Sequence, residues 1–135
     1  MAQDADHARR AWQAMSSFVL DDDRKLAVSQ ALGLSFARVR ALRRLASEPL
    51  TMRALADKLK ADPPYVTLIV NDLEERGLVE RRPHPEDRRA KLVSLTRAGR
   101  AAVTKAERIL DAPPAALTAL PADDLAALVR ILDHF

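Results

Sequence analysis

The 135-residue chain has no cysteine, which removes disulfides, thiolate metal sites, thiol nucleophiles and cysteine redox chemistry from it. Its three glycines are too few for a glycine-rich phosphate loop. Aromatic residues are scarce, with one Trp, one Tyr and three Phe, so a core must be assembled from Leu, Val, Ile and Ala. A 48% hydrophobic composition with so little glycine favours a mainly helical protein. No apolar stretch near the N-terminus has the length of a signal-peptide core, and none approaches the roughly 20 residues of a membrane span. A cytoplasmic location with no membrane partner is the expectation. His7, His84 and His134 lie far apart without ligand spacing, and Asp21 to Asp23 reads as a helix start, so neither a metal nor a cofactor is expected. With no nucleophile beside a base and no paired carboxylates in evidence, the chain does not read as an enzyme.

What is present is charge, and its position matters more than its sum. Lys and Arg number 22 against 19 Asp and Glu, a formal net charge of +3, too small by itself to point to nucleic acid. Basic residues nevertheless gather at Arg81, Arg82, Arg88, Arg89 and Lys91, around a segment that reads as a hairpin. The length suits one compact unit spanning residues 1–135.

Hydrophobic periodicity places the elements. Ala8, Ala11, Trp12, Met15, Phe18 and Val19 recur at helical spacing over residues 4–19, and a second short helix runs from the aspartates to about Leu32, stopped by Gly33. Ser35 is placed to cap a helix over 36–47 with Phe36, Val39, Leu42 and Leu45 inward. Thr51 is placed to cap the next, with Leu50 and Leu55 as a hydrophobic staple. Asp62 precedes Pro63 and Pro64, which suit a first helical turn, and Val66, Ile69, Val70 and Leu73 form the inner stripe of that helix. Gly77 and Leu78 predict a Schellman ending. Runs at 79–82 and 91–95 flank a tip containing Pro83 and Pro85 and predict a two-stranded β wing. Thr96 caps a helix carrying Val103, Ala106, Ile109 and Leu110 to the break at Pro113 and Pro114. Leu125, Leu128, Val129, Leu132 and Phe135 form a last amphipathic helix.

Two helices joined by a tight turn and followed by a charged hairpin give the layout of a winged helix-turn-helix. Terminal helices whose apolar stripes have no partner within so short a chain predict burial against a second copy. The residues Leu78-Val79-Glu80-Arg81-Arg82, then Asp87-Arg88-Arg89, then Leu95-Thr96 resemble the wing signature of the MarR family, in which Asp-x-Arg precedes Leu-Thr by five residues. Leu73-Glu74-Glu75-Arg76-Gly77-Leu78 is similar to the end of that family's recognition helix. The resemblance is strong over residues 34–100 and implies a DNA-binding lobe there, with dimerisation helices in 1–33 and 101–135. It implies a sequence-specific regulator, of which a homodimeric repressor on a pseudo-palindromic double-stranded DNA operator is the favoured form.

On that resemblance, residues 62–76 enter the major groove and the positions turned away from the inner stripe are Pro64, Tyr65, Thr67, Leu68 and Asn71. Asn71 can pair with adenine or another base edge, Thr67 can meet a base or phosphate, and Leu68 can pack on a thymine methyl. Many relatives carry Arg where this chain has Leu68. Arg88 and Arg89 at the wing tip suit a narrow minor groove, with Asp87 orienting the arginine. Arg53, Lys58, Arg81, Arg82 and Lys91 are candidate phosphate contacts. The family further implies a small aromatic or anionic effector, for which Trp12, Met15, Phe36 and Arg40 are candidates. The alternative reading is a winged-helix module that docks a protein instead of DNA; exposed Tyr65 and Leu68 would suit it, and the arginine-bearing wing would not.

Overall fold

The computed structural model describes residues 1–135. Eight helices and three strands follow one another as α1 (Ala2–Leu20), α2 (Arg24–Leu32), α3 (Phe36–Ser47), β1 (Leu50–Thr51), α4 (Met52–Leu59), α5 (Pro63–Glu75), β2 (Val79–Pro83), β3 (Lys91–Leu95), α6 (Arg97–Leu110), α7 (Ala115–Thr118) and α8 (Ala122–Leu132). The fold is mainly helical and winged: α3, α4 and α5 pack on one another, and the β2–β3 hairpin springs from the end of α5. Nineteen apolar residues form one core, and no polar or charged residue is buried with them. Burial of Val39, Leu42 and Leu45 from α3, Leu55 and Leu59 from α4, and Val66, Ile69, Val70 and Leu73 from α5 follows the helical period of the sequence.

Short polar side chains start the helices as anticipated. Ser35 Oγ accepts from the Arg38 N–H at 3.3 Å, Thr51 Oγ1 from Ala54 at 3.1 Å, and Thr96 Oγ1 from Gly99 at 3.1 Å. Asp62 departs from this pattern, for it holds the N-cap position of α5 without a side-chain hydrogen bond. The two prolines behind it carry no N–H to accept from, and the Tyr65 N–H turns instead to the Asp62 carbonyl at 3.0 Å. At the other end, Gly77 adopts φ 75°, its N–H reaches the Glu74 carbonyl at 3.0 Å, and the Leu78 N–H reaches Leu73 at 2.9 Å. These are the two bonds of a Schellman ending, and the left-handed residue they require is why glycine stands there.

The wing is a two-stranded hairpin as expected, with a small addition. Leu50 and Thr51 pair antiparallel with Val93 and Leu92, which makes a three-stranded sheet of order β1-β3-β2. Thr51 is thus both a strand end and the cap of α4. Thr96 closes the hairpin in a similar double role: its hydroxyl donates to the Gly77 carbonyl at 2.6 Å while accepting from Gly99, and its N–H donates to Leu78 at 3.1 Å. The Leu-Thr pair after the wing therefore fastens the end of α5, the base of the hairpin and the start of α6 at one point.

The terminal elements differ from this centre. Neither α1 nor α8 contributes a buried residue, and Trp12 is 68% exposed. α7 is a single turn that the sequence reading passed over, set between Pro114 and Pro121. No helix is long and apolar enough to cross a membrane.

Candidate nucleic-acid interface

The inner stripe of α5 is fully committed to the core, so its opposite face is free by helical geometry. Pro64, Tyr65, Thr67, Leu68 and Asn71 are all exposed, Leu68 to 58% and Tyr65 to 45%. Tyr65 and Leu68 thus add apolar surface to the polar side chains of this face. Thr67 directs its hydroxyl proton back to the Pro63 carbonyl at 3.0 Å, leaving oxygen lone pairs outward.

The helix is held at its far end by a three-residue clamp. Asp72 Oδ2 accepts from Arg38 Nε of α3 at 2.6 Å and from Arg76 Nε at 2.9 Å. Arg76 also reaches the carbonyl of Gly33 at 3.4 Å. The hydrogen bond from Arg38, then that from Arg76, holds the Asp72 carboxyl below the ordinary carboxylate range. The sequence reading missed this clamp. Asp72 and Arg76 are a helical i, i+4 pair and were readable as such, whereas Arg38 lies 34 positions away and only the packing of α3 on α5 brings it in.

Because the folded carboxyl has the lower pKa, the clamp stabilises the fold fully above the unfolded value of about 3.9 and is lost as pH falls through the depressed folded value. Comparing denaturant midpoints of the parent and Asp72→Asn between pH 7 and pH 3 should give a constant gap near neutrality that narrows as pH falls below the unfolded value. A gap independent of pH would remove Asp72 from this role.

The basic candidates do not form one class. Arg53 and Lys58 on α4, Lys91 on β3, and Arg88 and Arg89 at the wing tip are exposed. Arg82 is exposed but paired with Glu80 at 2.7 Å. Arg81 departs from the expected free phosphate contact: its side chain is only 24% exposed, its Nη2 donates to Asn71 Oδ1, and its Nη1 lies 3.6 Å from Glu74 Oε1. Alternation along β2 turns this guanidinium toward α5. Asp87 also differs in detail. Its Oδ1 accepts from the backbone N–H of Arg89 at 3.0 Å, so it shapes the turn that carries the arginine and does not grip the guanidinium.

The effector candidates are not brought together. Phe36 lines an apolar cleft of about 300 Å³ between α1, α2, α3, α6 and α7, with Phe18, Leu110 and Leu117. Arg24 and Lys25 are part of its wall, and Lys25 Nζ stands 5.1 Å from the Phe36 ring centre. Arg24 is anchored by Asp22 at 2.7 Å and by the Leu110 carbonyl at 2.6 Å; its hydrogen bonds lower the Asp22 pKa. Trp12 and Met15 precede the cleft on α1 and do not line it, and Arg40 belongs to a separate basic groove with Arg43 and Arg44. Phe36 and Arg40 are one turn apart on α3 and yet line different clefts.

A mainly helical winged helix-turn-helix with a polar-edged recognition face and an arginine-tipped hairpin defines a class of transcription-regulator fold. Residues 32–90 match the sequence profile of the MarR family. An uncharacterized HTH-type transcriptional regulator of Mycobacterium leprae is 38% identical over 76 residues, 56% of this chain; the chain spans about half, 53%, of that relative's length. Crystalline wild-type MarR from Escherichia coli in its apo form is similar at a TM-score of 0.74 and 26% identity, covering 90% of this chain and 93% of that one. A point mutant of Staphylococcus aureus MepR bound to an oligodeoxyribonucleotide shares the fold at a TM-score of 0.70 and 22% identity, covering 93% of this chain and 96% of that one. Residues 32–90 thus resemble the MarR family, and the chain as a whole shares the winged helix-turn-helix fold of regulators of that family.

Proposed function

We propose that the chain binds DNA sequence-specifically as a homodimer and represses transcription by occupying a pseudo-palindromic operator in the cytoplasm. The observation that carries this reading is the outer face of α5, where Tyr65, Thr67, Leu68 and Asn71 stand exposed on a helix braced from behind. A rigid helix with a free mixed face is what the major groove admits. Residues 34–100 form the reading lobe of a single MarR-type unit over 1–135, with the terminal helices serving the dimer. Pro64 and Tyr65 lie at the entry of the helix, where backbone phosphate is nearest, and Leu68 offers an apolar contact to a thymine methyl. Arg88 and Arg89 extend to the minor groove on a turn set by Asp87. Arg53, Lys58, Arg82 and Lys91 fix register on phosphates.

The cleft under Phe36 supports release by a small effector. Its apolar lining suits an aromatic ring, and Arg24 with Lys25 suits an anionic substituent. A second reading, docking of a protein on the Leu68 and Tyr65 face, is favoured by their exposure and disfavoured by the arginines of the wing.

Selection of bound fragments from a random duplex pool at two salt concentrations separates the two. Enrichment of an inverted repeat with half-sites about one helical turn apart supports the operator. Failure to enrich any sequence, with weak binding lost at moderate salt, transfers the reading to protein docking. On the enriched operator, Arg89→Ala should weaken binding by about 1–3 kcal/mol, measured by titration of labelled duplex. Unchanged affinity would remove Arg89 from the groove.

A further inference from the structure

The contact between the wing and the recognition helix bears on which base Asn71 reads. Arg81 stands on β2 opposite Val93 and carries its guanidinium to α5, where Nη2 donates to Asn71 Oδ1 and Nη1 approaches Glu74. A guanidinium has donors only, so the end of the Asn71 amide that faces it is the oxygen. Arg81 is held in place by its partial burial and by Glu74, and its Nε finds no acceptor within the protein. Asn71 itself is exposed beside Leu68.

A free asparagine reads adenine by using both ends of its amide, the oxygen accepting from the N6 amino group while the nitrogen donates to N7. In this chain one of the two lone pairs of that oxygen is engaged by a cation, and the N–H groups of the pair that remain outward are donors. An adenine amino group brought to this point would have to share an oxygen already bound by a guanidinium, beside other donors and a positive charge. Guanine presents two acceptors there, O6 and N7.

We propose that Arg81 sets base specificity by fixing the Asn71 amide as a donor, so that the recognition helix selects guanine at the step where an unclamped asparagine selects adenine. Arg81 is a positioning residue, acting through Asn71. The inference rests on the DNA-binding reading above and adds to it the identity of one base.

The test uses the full chain and the duplex it enriches. The base under Asn71 is the operator position at which Asn71→Ala loses discrimination among the four bases. At that position the parent should favour guanine over adenine by roughly tenfold or more. Arg81→Met keeps the packing of the side-chain stem and removes the donors. It should collapse or invert the guanine preference at this position alone, leaving the others as they were. Replacing that guanine by 7-deazaguanine should weaken the parent but leave Asn71→Ala unaffected, a readout that holds even if Arg81→Met does not fold. A parent that prefers adenine, an Arg81→Met protein with the parental ratio, or indifference of the parent to 7-deazaguanine overturns the proposal while leaving DNA binding intact. A parent that enriches no sequence overturns the wider reading and this one with it.

Discussion

Replacing Gly99 with Ala should cost about 3 kcal/mol or more, although glycine to alanine inside a helix ordinarily stabilises by about 1 kcal/mol. Gly99 is buried in the first turn of α6, and a Cβ there would stand 2.0 Å from the Leu78 carbonyl oxygen and 3.1 Å from its carbon. That carbonyl cannot yield easily. It accepts from the Thr96 N–H at 3.1 Å, while the Leu78 N–H is tied to Leu73 at 2.9 Å, so its position is set by the ending of α5 and by the hairpin together. Relief must come from shifting α6, which carries Val103 and Ala106 into the core. In a domain whose whole stability is of order 5–15 kcal/mol, this corresponds to a fall in Tm of roughly 10 °C or more, read by thermal unfolding. A Tm within about 2 °C of the parent would mean that the joint is softer than its hydrogen bonds imply.

The same joint shows which parts of the fold were legible in the sequence. Ser35, Thr51 and Thr96 announce helix starts because a cap acts on N–H groups two or three residues away, within any reading window. Gly77 announces the end of α5 for a similarly local reason. The core stripes of α3, α4 and α5 are visible because burial repeats with the helical period. The third strand is different, since Leu50 and Thr51 are too short to show alternation and owe their pairing to β3, some 40 residues on. The site divides along the same line. That Tyr65, Thr67, Leu68 and Asn71 share an outer face follows from periodicity alone. That Arg81 turns to Asn71, or that Arg38 locks Asp72, depends on how the hairpin and α3 lie against α5, and charge patterning along the chain carries no trace of it. Phe36 and Arg40 are neighbours in sequence and are parted by the course of α3 past α6.

If the proposed homodimer is the reading unit, Val129→Glu with Leu132→Glu should convert it to a folded monomer and weaken binding to an inverted repeat by roughly 100-fold or more. These side chains lie one turn apart on α8 and are 53% and 44% exposed in the single chain, as is most of the apolar surface of α1. Amphipathic helices whose apolar sides face water gain nothing by ordering alone, and the proposed second copy would cover them. Around a two-fold axis each residue meets its own patch or one equivalent to it. The double substitution then introduces four carboxylates into one interface, each costing several kcal/mol to bury unpaired. Because α8 contributes no buried residue to the protomer, helical circular dichroism should persist, while light scattering should fall from about twice 14.9 kDa to a single chain mass. Binding to an isolated half-site should be unchanged, since α5 and the wing are untouched. The loss on the full repeat measures what the dimer contributes by presenting two reading lobes at once. A protein that keeps twice the chain mass would refute α8 as part of the dimer contact, and a monomer that binds the full repeat as tightly as the parent would refute the dimer as the reading unit.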